Sequence, residues 1–412
     1  MLAFTFPGQG SQRPGMGRPW VEHPSWEVVD EASNVAGRDV ARLLLEADKD
    51  ELTLTANAQM TTYVLSLVVL DAIERLGIEP TVCAGHSLGE YTALTASGAL
   101  GFEDGVHLVA ERGDAMHNAA QEHPGTMAAV LGADDDAVEA ACQRAEGDVW
   151  VANYNAPGQV AIAGTPDAVA LAGTIAKELG AKKVVPLPVE GAFHTALMAP
   201  ARAWLRKALS ETPFAAPEVP VVANVDARRH DGADEWPALL SAQLCSPVRW
   251  RQSLNTLETL GATRFVEVGP GGVLSGLARR SVPEAESMSV SSPDDLDALV
   301  DAVSDSDTWH AYAAAHQGEH LYTSERVVVS PVAGVFEPAP GLAAPAPGQG
   351  GPGAAGPVTD VAVGVGDLLG RVGGAEVRTP FAGLVVGFLA HAGERVVAGQ
   401  PVAWLRLRVD GA

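Results

Sequence analysis

The sequence predicts an α/β protein: a parallel-sheet core carrying an inserted split unit, followed by a small separate tail. Three observations carry this reading. A β-prone run, Pro80-Thr81-Val82-Cys83, leads into Gly85-His86-Ser87-Leu88-Gly89, from which a helical pattern runs to Ala99. Between Thr126 and Pro188 the patterning alternates in the order β-α-β-β-α-β. Near the C-terminus, Val329-Ser330-Pro331-Val332-Ala333-Gly334-Val335 recurs as Arg378-Thr379-Pro380-Phe381-Ala382-Gly383-Leu384.

Taken in order, Met1–Phe6 reads as a first strand that empties into the turn Pro7-Gly8-Gln9-Gly10. Helical periodicity follows at 28–36 and 60–76, then the strand-turn-helix around Ser87, then a helix over 102–120 with Arg112 and Met116 four apart on one face. The insert, 126–190, places strands at 127–131, 149–154, 159–163 and 183–188, and helices at 134–145 and 168–179; this is the ferredoxin-like order. Helices at 201–210 and 237–244 and strands at 219–225 and 264–268 return to the larger layer, with a last helix at 273–280 after Gly269-Pro270-Gly271-Gly272. An acidic stretch, 291–307, holds one helix over 296–303. The expected organisation is a first domain over 1–305, a connecting segment over 306–324, and a second domain over 325–412 with a Pro/Ala/Gly linker at 338–357.

Composition narrows the function. A formal charge of −24 with no offsetting basic stripe argues against nucleic acid as partner. The longest apolar run, Tyr63–Ile73, is too short to span a bilayer, and nothing basic precedes the first strand as in a signal peptide. Three cysteines, Cys83, Cys142 and Cys245, form no paired spacing, which fits a reducing cytoplasm. His316-Gln317-Gly318-Glu319-His320 matches H-x-x-E-H, but glycine interrupts the helix that motif needs and no third ligand is evident, so no metal is expected. Gly8-x-Gly10 lacks both the third glycine of a dinucleotide fingerprint and the Lys-Ser/Thr of a P-loop.

Gly-x-Ser-x-Gly between strand and helix is the pattern of a nucleophile elbow, or else a Gly-rich turn that happens to carry a serine. An elbow needs a base, an oxyanion site and a group that selects the acyl chain. Of the eleven histidines, His194, where a strand meets a helix, sits best for the base.

Several blocks in order resemble the malonyl-CoA:acyl-carrier-protein transacylases and the acyltransferase domains of polyketide synthases. They are Phe6–Gln12, Gly85–Tyr91, Glu111-Arg112-Gly113 with Met116, Asn153–Gln159, His194–Met198, Asn224-Val225-Asp226, Gln243 and Glu267–Gly271. The resemblance implies a hydrolase-like core, Ser87 as nucleophile and His194 as base. It also implies an oxyanion hole from the amides of Gln9 and Leu88, and a main-chain carbonyl at Gln243 to orient the imidazole. Arg112 would grip a malonyl carboxylate, with Met116 and His117 beside it. A plain esterase has no use for such a cation, whereas an acyl chain ending in carboxylate does, since burying that charge unpaired costs several kcal/mol.

Phe193, directly before the histidine, resembles the polyketide pattern that goes with malonyl, because a ring beside the α-carbon crowds a branching methyl. His117 departs from the glutamine usual in the stand-alone enzymes. The implied acceptor is an acyl carrier protein, acidic like this chain, so docking needs local basic residues: Lys182, Lys183, Arg279 and Arg280, with Arg249 and Arg251 as further candidates. Two other readings remain: a discrete polyketide acyltransferase or thioester-cleaving editor, and a non-catalytic scaffold.

The tail resembles the biotinyl/lipoyl carrier fold, a small quasi-symmetric β-sandwich whose hairpin tip carries a modified lysine. Here the hairpin shrinks to about Val372-Gly373-Gly374-Ala375, and no lysine follows Lys207. No biotin or lipoate attachment is therefore expected, and a docking or oligomer-contact role is.

Overall fold

The computed structural model describes residues 1–304, 325–340, 342, 361–364, 366–379, 383–390 and 392–407. It divides into two units, Met1–Trp309 and His310–Ala412.

The first unit opens with β1 (Leu2–Phe6), then α1 (Glu27–Ala36), α2 (Val40–Leu45), α3 (Lys49–Thr53), α4 (Thr55–Glu74), β2 (Val82–Gly85), α5 (Gly89–Ala96) and α6 (Phe102–Glu122). The insert follows as β3 (Thr126–Leu131), α7 (Asp135–Arg144), β4 (Val149–Ala156), β5 (Gln159–Gly164), α8 (Pro166–Glu178) and β6 (Lys183–Pro186). The chain then returns through α9 (Ala199–Glu211), β7 (Val221–Val222), β8 (Arg229–His230), α10 (Trp236–Gln243), α11 (Trp250–Thr259), β9 (Arg264–Val268), α12 (Val273–Ser281), β10 (Glu286–Val290) and α13 (Asp295–Ser304).

One six-stranded sheet, in order β10-β9-β1-β2-β7-β8, forms the base of this unit; every pairing but the last is parallel. Strands buried on both faces read as near-continuous apolar runs, as in β1, Leu-Ala-Phe-Thr-Phe. β1 pairs with β2 so that Phe6 stands opposite Gly85, which sets the Pro7–Gly10 turn beside the Ser87 turn. The insert is a separate four-stranded antiparallel sheet, β4-β5-β3-β6, with its own core including Val130, Val138, Ile162 and Ala172.

Three differences from the sequence reading have physical causes. α4 starts at Thr55 rather than residue 60, because its polar first turn, including Asn57 and Gln59, is buried rather than solvated. By length and apolar content α4 resembles a membrane span, yet 89% of that window is buried within the protein, where it serves as a core helix. The strand expected at 219–225 shrinks to Val221–Val222: Pro220 has no N–H to give, and Asn224 is committed to side-chain bonding.

The second unit comprises β11 (Glu325–Val329), β12 (Gly334–Pro338), β13 (Val361–Val363), β14 (Leu368–Val372), β15 (Ala375–Arg378), β16 (Gly383–Phe388), β17 (Arg395–Val396) and β18 (Pro401–Leu407). They form two antiparallel sheets, β11-β18-β16-β13 and β15-β14-β12-β17, around a core that includes Phe336, Leu369, Val385 and Leu405. The described residues of both copies flank the passage from one sheet to the other. Ser330 and Thr379 occupy matching buried positions: Ser330 N donates to Gln400 O at 2.8 Å, and Thr379 N to Asp367 O at 3.0 Å. The short hairpin turns on Gly373-Gly374, with φ of 55° and 90°, a conformation that favours glycine.

The linker expected from residue 338 begins later than that. Pro338 ends β12, and Ala339 and Leu342 are buried in the tail core, Ala339 N donating to Leu369 O at 2.9 Å. Apolar residues between prolines thus anchor this stretch. The connecting segment 306–324, the His316–His320 motif and 343–357 lie outside the described residues.

Candidate active site

The turn after β2 is built on steric necessity. A Cβ on Gly85 would lie 1.8 Å from Gly89 O, and one on Gly89 would lie 2.0 Å from Phe6 O. Between them Ser87 adopts φ 54°, a left-handed conformation that costs a non-glycine residue on the order of 1–3 kcal/mol. The surroundings hold it there from both sides. Ser87 N donates to Asn224 Oδ1 at 2.7 Å, and Gln243 Nε2 donates to Ser87 O at 2.8 Å. Glu90, fully buried in the first turn of α5, ties these two clamps together: Oε1 accepts from Asn224 N at 2.8 Å and Oε2 accepts from Gln243 Nε2.

His194 lies 107 residues further on, and its Nε2 is 2.8 Å from Ser87 Oγ. Its Nδ1 lies 2.9 Å from the main-chain oxygen of Gln243. A carbonyl only accepts, so Nδ1 carries the proton and Nε2 is left as acceptor for the serine hydroxyl. Burial, then the charge of Arg112, push the His194 pKa down to about 3, which keeps the imidazole neutral at physiological pH.

Arg112, on α6, is 1% exposed. Nη1 donates to Gln59 Oε1 at 2.7 Å; Nη2 donates to Gln243 Oε1 at 2.9 Å and to Ser87 Oγ at 3.1 Å. The guanidinium lies 5.3 Å from the centroid of the Tyr91 ring. Every side-chain oxygen it reaches is neutral. Among the described residues no carboxylate pairs with it, and its Nε is buried with no partner. A buried cation ringed only by neutral acceptors keeps charge that an entering anion can neutralise.

The remaining expected residues fall in distinct places. Met116 is buried one turn beyond Arg112 and its Sδ accepts from Gln59 Nε2 at 3.2 Å. Phe193 is buried, with its ring over Gly191. His117 does not join Arg112; it is half-exposed, with Nδ1 3.4 Å from Glu190 Oε2. Leu88 follows Ser87 as the cap of α5, and Gln9 lies in the turn after β1 with its side-chain nitrogen buried without a partner. Lys182, Lys183, Arg279 and Arg249 are exposed. Arg280 is exposed as well and donates to Pro157 O at 2.8 Å and to Gln159 Oε1 at 2.5 Å, while Arg251 is paired with Asp135, so both also brace the insert.

Gln59, Glu90 and Asn224 carry contacts the sequence reading assigned to no one. Glu90 and Asn224 stood inside the matching blocks; Gln59 lies among other polar residues in the first half of α4, and nothing in the sequence set it apart from them. No cluster able to hold a metal ion occurs among the described residues.

Residues 3–293 match the acyl transferase domain family. The malonyl CoA-acyl carrier protein transacylase of Bacillus subtilis is 42% identical over 304 residues, 73% of this chain and 96% of that one. An acyl carrier protein S-malonyltransferase from Vibrio cholerae superposes with a TM-score of 0.70 at 40% identity, covering 72% of this chain and 99% of its own. A malonyl-transacylase solved in complex with a type II polyketide acyl carrier protein gives a TM-score of 0.71 at 36% identity, covering 73% and 99%. With this site and these relatives, the chain belongs to the acyl transferase domain family.

Proposed function

We propose that this chain moves a malonyl group from malonyl-CoA to the phosphopantetheine thiol of an acyl carrier protein, in two half-reactions through malonyl-Ser87. The carrying observation is one atom, Ser87 Oγ, lying between His194 Nε2 at 2.8 Å and Arg112 Nη2 at 3.1 Å. Base and carboxylate-binding cation thus meet at the nucleophile.

In the first half-reaction Ser87 Oγ bonds to the thioester carbonyl carbon while its proton passes to His194 Nε2. The C–S bond then breaks, and the imidazolium returns that proton to the departing CoA sulfur. In the second, His194 takes the proton of the carrier thiol as its sulfur bonds to the malonyl carbonyl carbon; the C–Oγ bond then breaks, and the imidazolium returns that proton to Ser87 Oγ. The oxyanion of each tetrahedral intermediate is assigned to the amides of Leu88 and Gln9; neither makes a hydrogen bond among the described residues. Arg112 takes the malonyl carboxylate, beside Met116, with His117 at the rim and Phe193 selecting against an α-methyl branch.

Carrier docking is assigned to Lys182, Lys183, Arg279 and Arg280. The same proposal includes a hydrolase-like acyltransferase domain over 1–305 and a cytoplasmic setting. It also includes a biotinyl/lipoyl-like β-sandwich over 325–412 that holds neither cofactor.

Intact mass after mixing with malonyl-CoA tests the proposal. A malonyl adduct should appear, vanish in Ser87→Ala, and move to added holo carrier protein. Rapid loss of the adduct to water with no preference for the carrier would favour an editing hydrolase.

A further inference from the structure

Among the described residues, three that are not glycine adopt the left-handed backbone conformation: Ser87 at φ 54°, His194 at 62° and Ala227 at 57°. The first two are the nucleophile and the base. Side chains rarely tolerate this region, and residues held in it gather where the surroundings over-determine a functional backbone. Ala227 lies in the turn between β7 and β8, close behind Asn224. The Asn224 side chain accepts from Ser87 N and donates to Gly85 O. The hairpin carrying this clamp is thus held against its own preference, and whatever ties it down bears on Ser87.

One tie is Thr256 Oγ1, which donates to Ala227 O at 2.7 Å. Another is His230, on β8. Its Nδ1 lies 2.9 Å from Glu235 Oε1, and its Nε2 lies 3.1 Å from Asp226 Oδ2. A carboxylate only accepts, so both ring nitrogens carry hydrogens and the ring is an imidazolium. Burial works against that charge, but the hydrogen bonds to Glu235 and Asp226 prevail and raise the pKa above its ordinary 6.5. Those two carboxylates are the charged groups that face the ring; neighbouring Arg229 is engaged with Asp231, its Nε donating at 2.8 Å. The ring also stands edge-on to buried Trp236, with centroids 5.8 Å apart.

The two carboxylates belong to the two elements that hold the site. Asp226 is part of the hairpin that presents Asn224. Glu235 directly precedes α10 and also accepts from Gly232 N at 3.2 Å. α10 ends at Gln243, which donates to Ser87 O, accepts from Arg112 and offers its main-chain oxygen to His194. We propose that His230 is a positioning residue: its imidazolium straps the hairpin bearing Asn224 to the start of α10, and so fixes the two clamps on Ser87 relative to each other. It touches no reacting atom. The inference rests on the proposed transfer reaction and deepens it by naming what braces the serine from outside the site.

His230→Gln keeps much of the side chain's size but loses its charge and its second donor. The rate constant for forming malonyl-Ser87 from malonyl-CoA should fall about three- to tenfold, the scale on which residues outside a site modulate it, with KM for malonyl-CoA little changed. His230→Arg, which can fork two N–H groups between the same carboxylates, should recover most of that loss. Combined with Gln243→Ala, His230→Gln should cost less than the product of the separate losses, because both act on one network. By nuclear magnetic resonance of the full chain, the His230 ring should titrate with a midpoint above 6.5, and Asp226→Asn should lower that midpoint. Circular dichroism controls for folding; should His230→Gln fail to fold, Asp226→Asn carries the same kinetic test through the loss of one bond. A folded variant that acylates at the parental rate would overturn the proposal. So would a loss that arginine does not repair, losses that simply multiply, or a midpoint at or below 6.5. Failure of the unaltered chain to form malonyl-Ser87 would instead reject the transfer reaction itself.

Discussion

Gln243 donates its side-chain amide to the main-chain oxygen of Ser87 at 2.8 Å, and its own main-chain oxygen lies 2.9 Å from His194 Nδ1. Its side-chain oxygen accepts from Arg112. One residue thus positions the nucleophile's strained backbone, the imidazole and the cation, using three different atoms.

Gln243→Ala separates these jobs, because the main-chain oxygen that orients His194 survives while the amide is lost. Ser87 O and Arg112 Nη2 then each lose a buried partner, at about 1–3 kcal/mol apiece. The acylation rate constant should fall about 10- to 100-fold with the His194 pKa little changed, measured by single-turnover kinetics with malonyl-CoA. A variant as fast as the parent would show that the side chain has no part in holding the site.

Arg112→Ala removes the cation and leaves a buried cavity edged by Gln59 and Gln243 amides. A malonyl carboxylate entering it would be an unpaired buried charge, costing about 3–5 kcal/mol relative to the paired state. Malonyl-CoA turnover should therefore drop by at least 100-fold, while acetyl-CoA, which brings no charge, should lose far less or gain. Parallel kcat/KM measurements on the two thioesters decide it; equal losses would mean Arg112 acts on the reaction centre rather than on the acyl terminus.

The pH profile discriminates between two buried groups. His194, pushed down to about 3, remains an unprotonated base as pH falls through 6.5. Glu90 is pushed the other way, up to about 7, chiefly by burial, against hydrogen bonds from Asn224 and Gln243 and the charge of Arg112. Its ionised form accepts from both neighbours, and a proton on it turns one of those acceptors into a donor. Acylation should thus weaken as pH falls through about 7, and Glu90→Gln should be slower but flat from pH 8 to 5. A limb near 6.5 surviving in Glu90→Gln would assign it to His194. For stability the sign is opposite for the two groups. The unfolded chain protonates His194 below its ordinary 6.5 while the fold does not, so that residue costs stability as pH falls from 6.5 toward 3. Glu90 returns some between 7 and 4.5, where only the fold holds its proton.

The legible parts of this protein were those in which one residue type has one physical use. Glycines flanking a serine announced the elbow because any Cβ there meets main chain, and the order of the insert was legible because short buried apolar strands alternate with helices that bury one face. The clamp on Ser87 was harder to foresee. Asn224 and Gln243, 137 and 156 residues beyond Ser87, come back to meet it and its near neighbour Glu90, and no local pattern encodes such a meeting. His117 illustrates the converse: next to Met116 in sequence, it turns outward to Glu190, because adjacent helical residues face about 100° apart.

The second unit is built independently of the first. Its core, around Phe336, Leu369 and Leu405, shares no residue with the core that surrounds Ser87, and each unit keeps its own sheets. The matching Ser330 and Thr379 donate their main-chain N–H groups to Gln400 O and Asp367 O, both within this unit. With no lysine after Lys207, the hairpin tip Gly373-Gly374 offers no amine for a cofactor amide. Removing 310–412 should therefore leave a folded first unit that forms malonyl-Ser87 from malonyl-CoA at the parental rate, followed by intact mass with circular dichroism as the control for folding. If the truncated chain were folded yet failed to acylate, the tail would have to contribute to the reaction, and its reading as a docking or assembly module would be wrong.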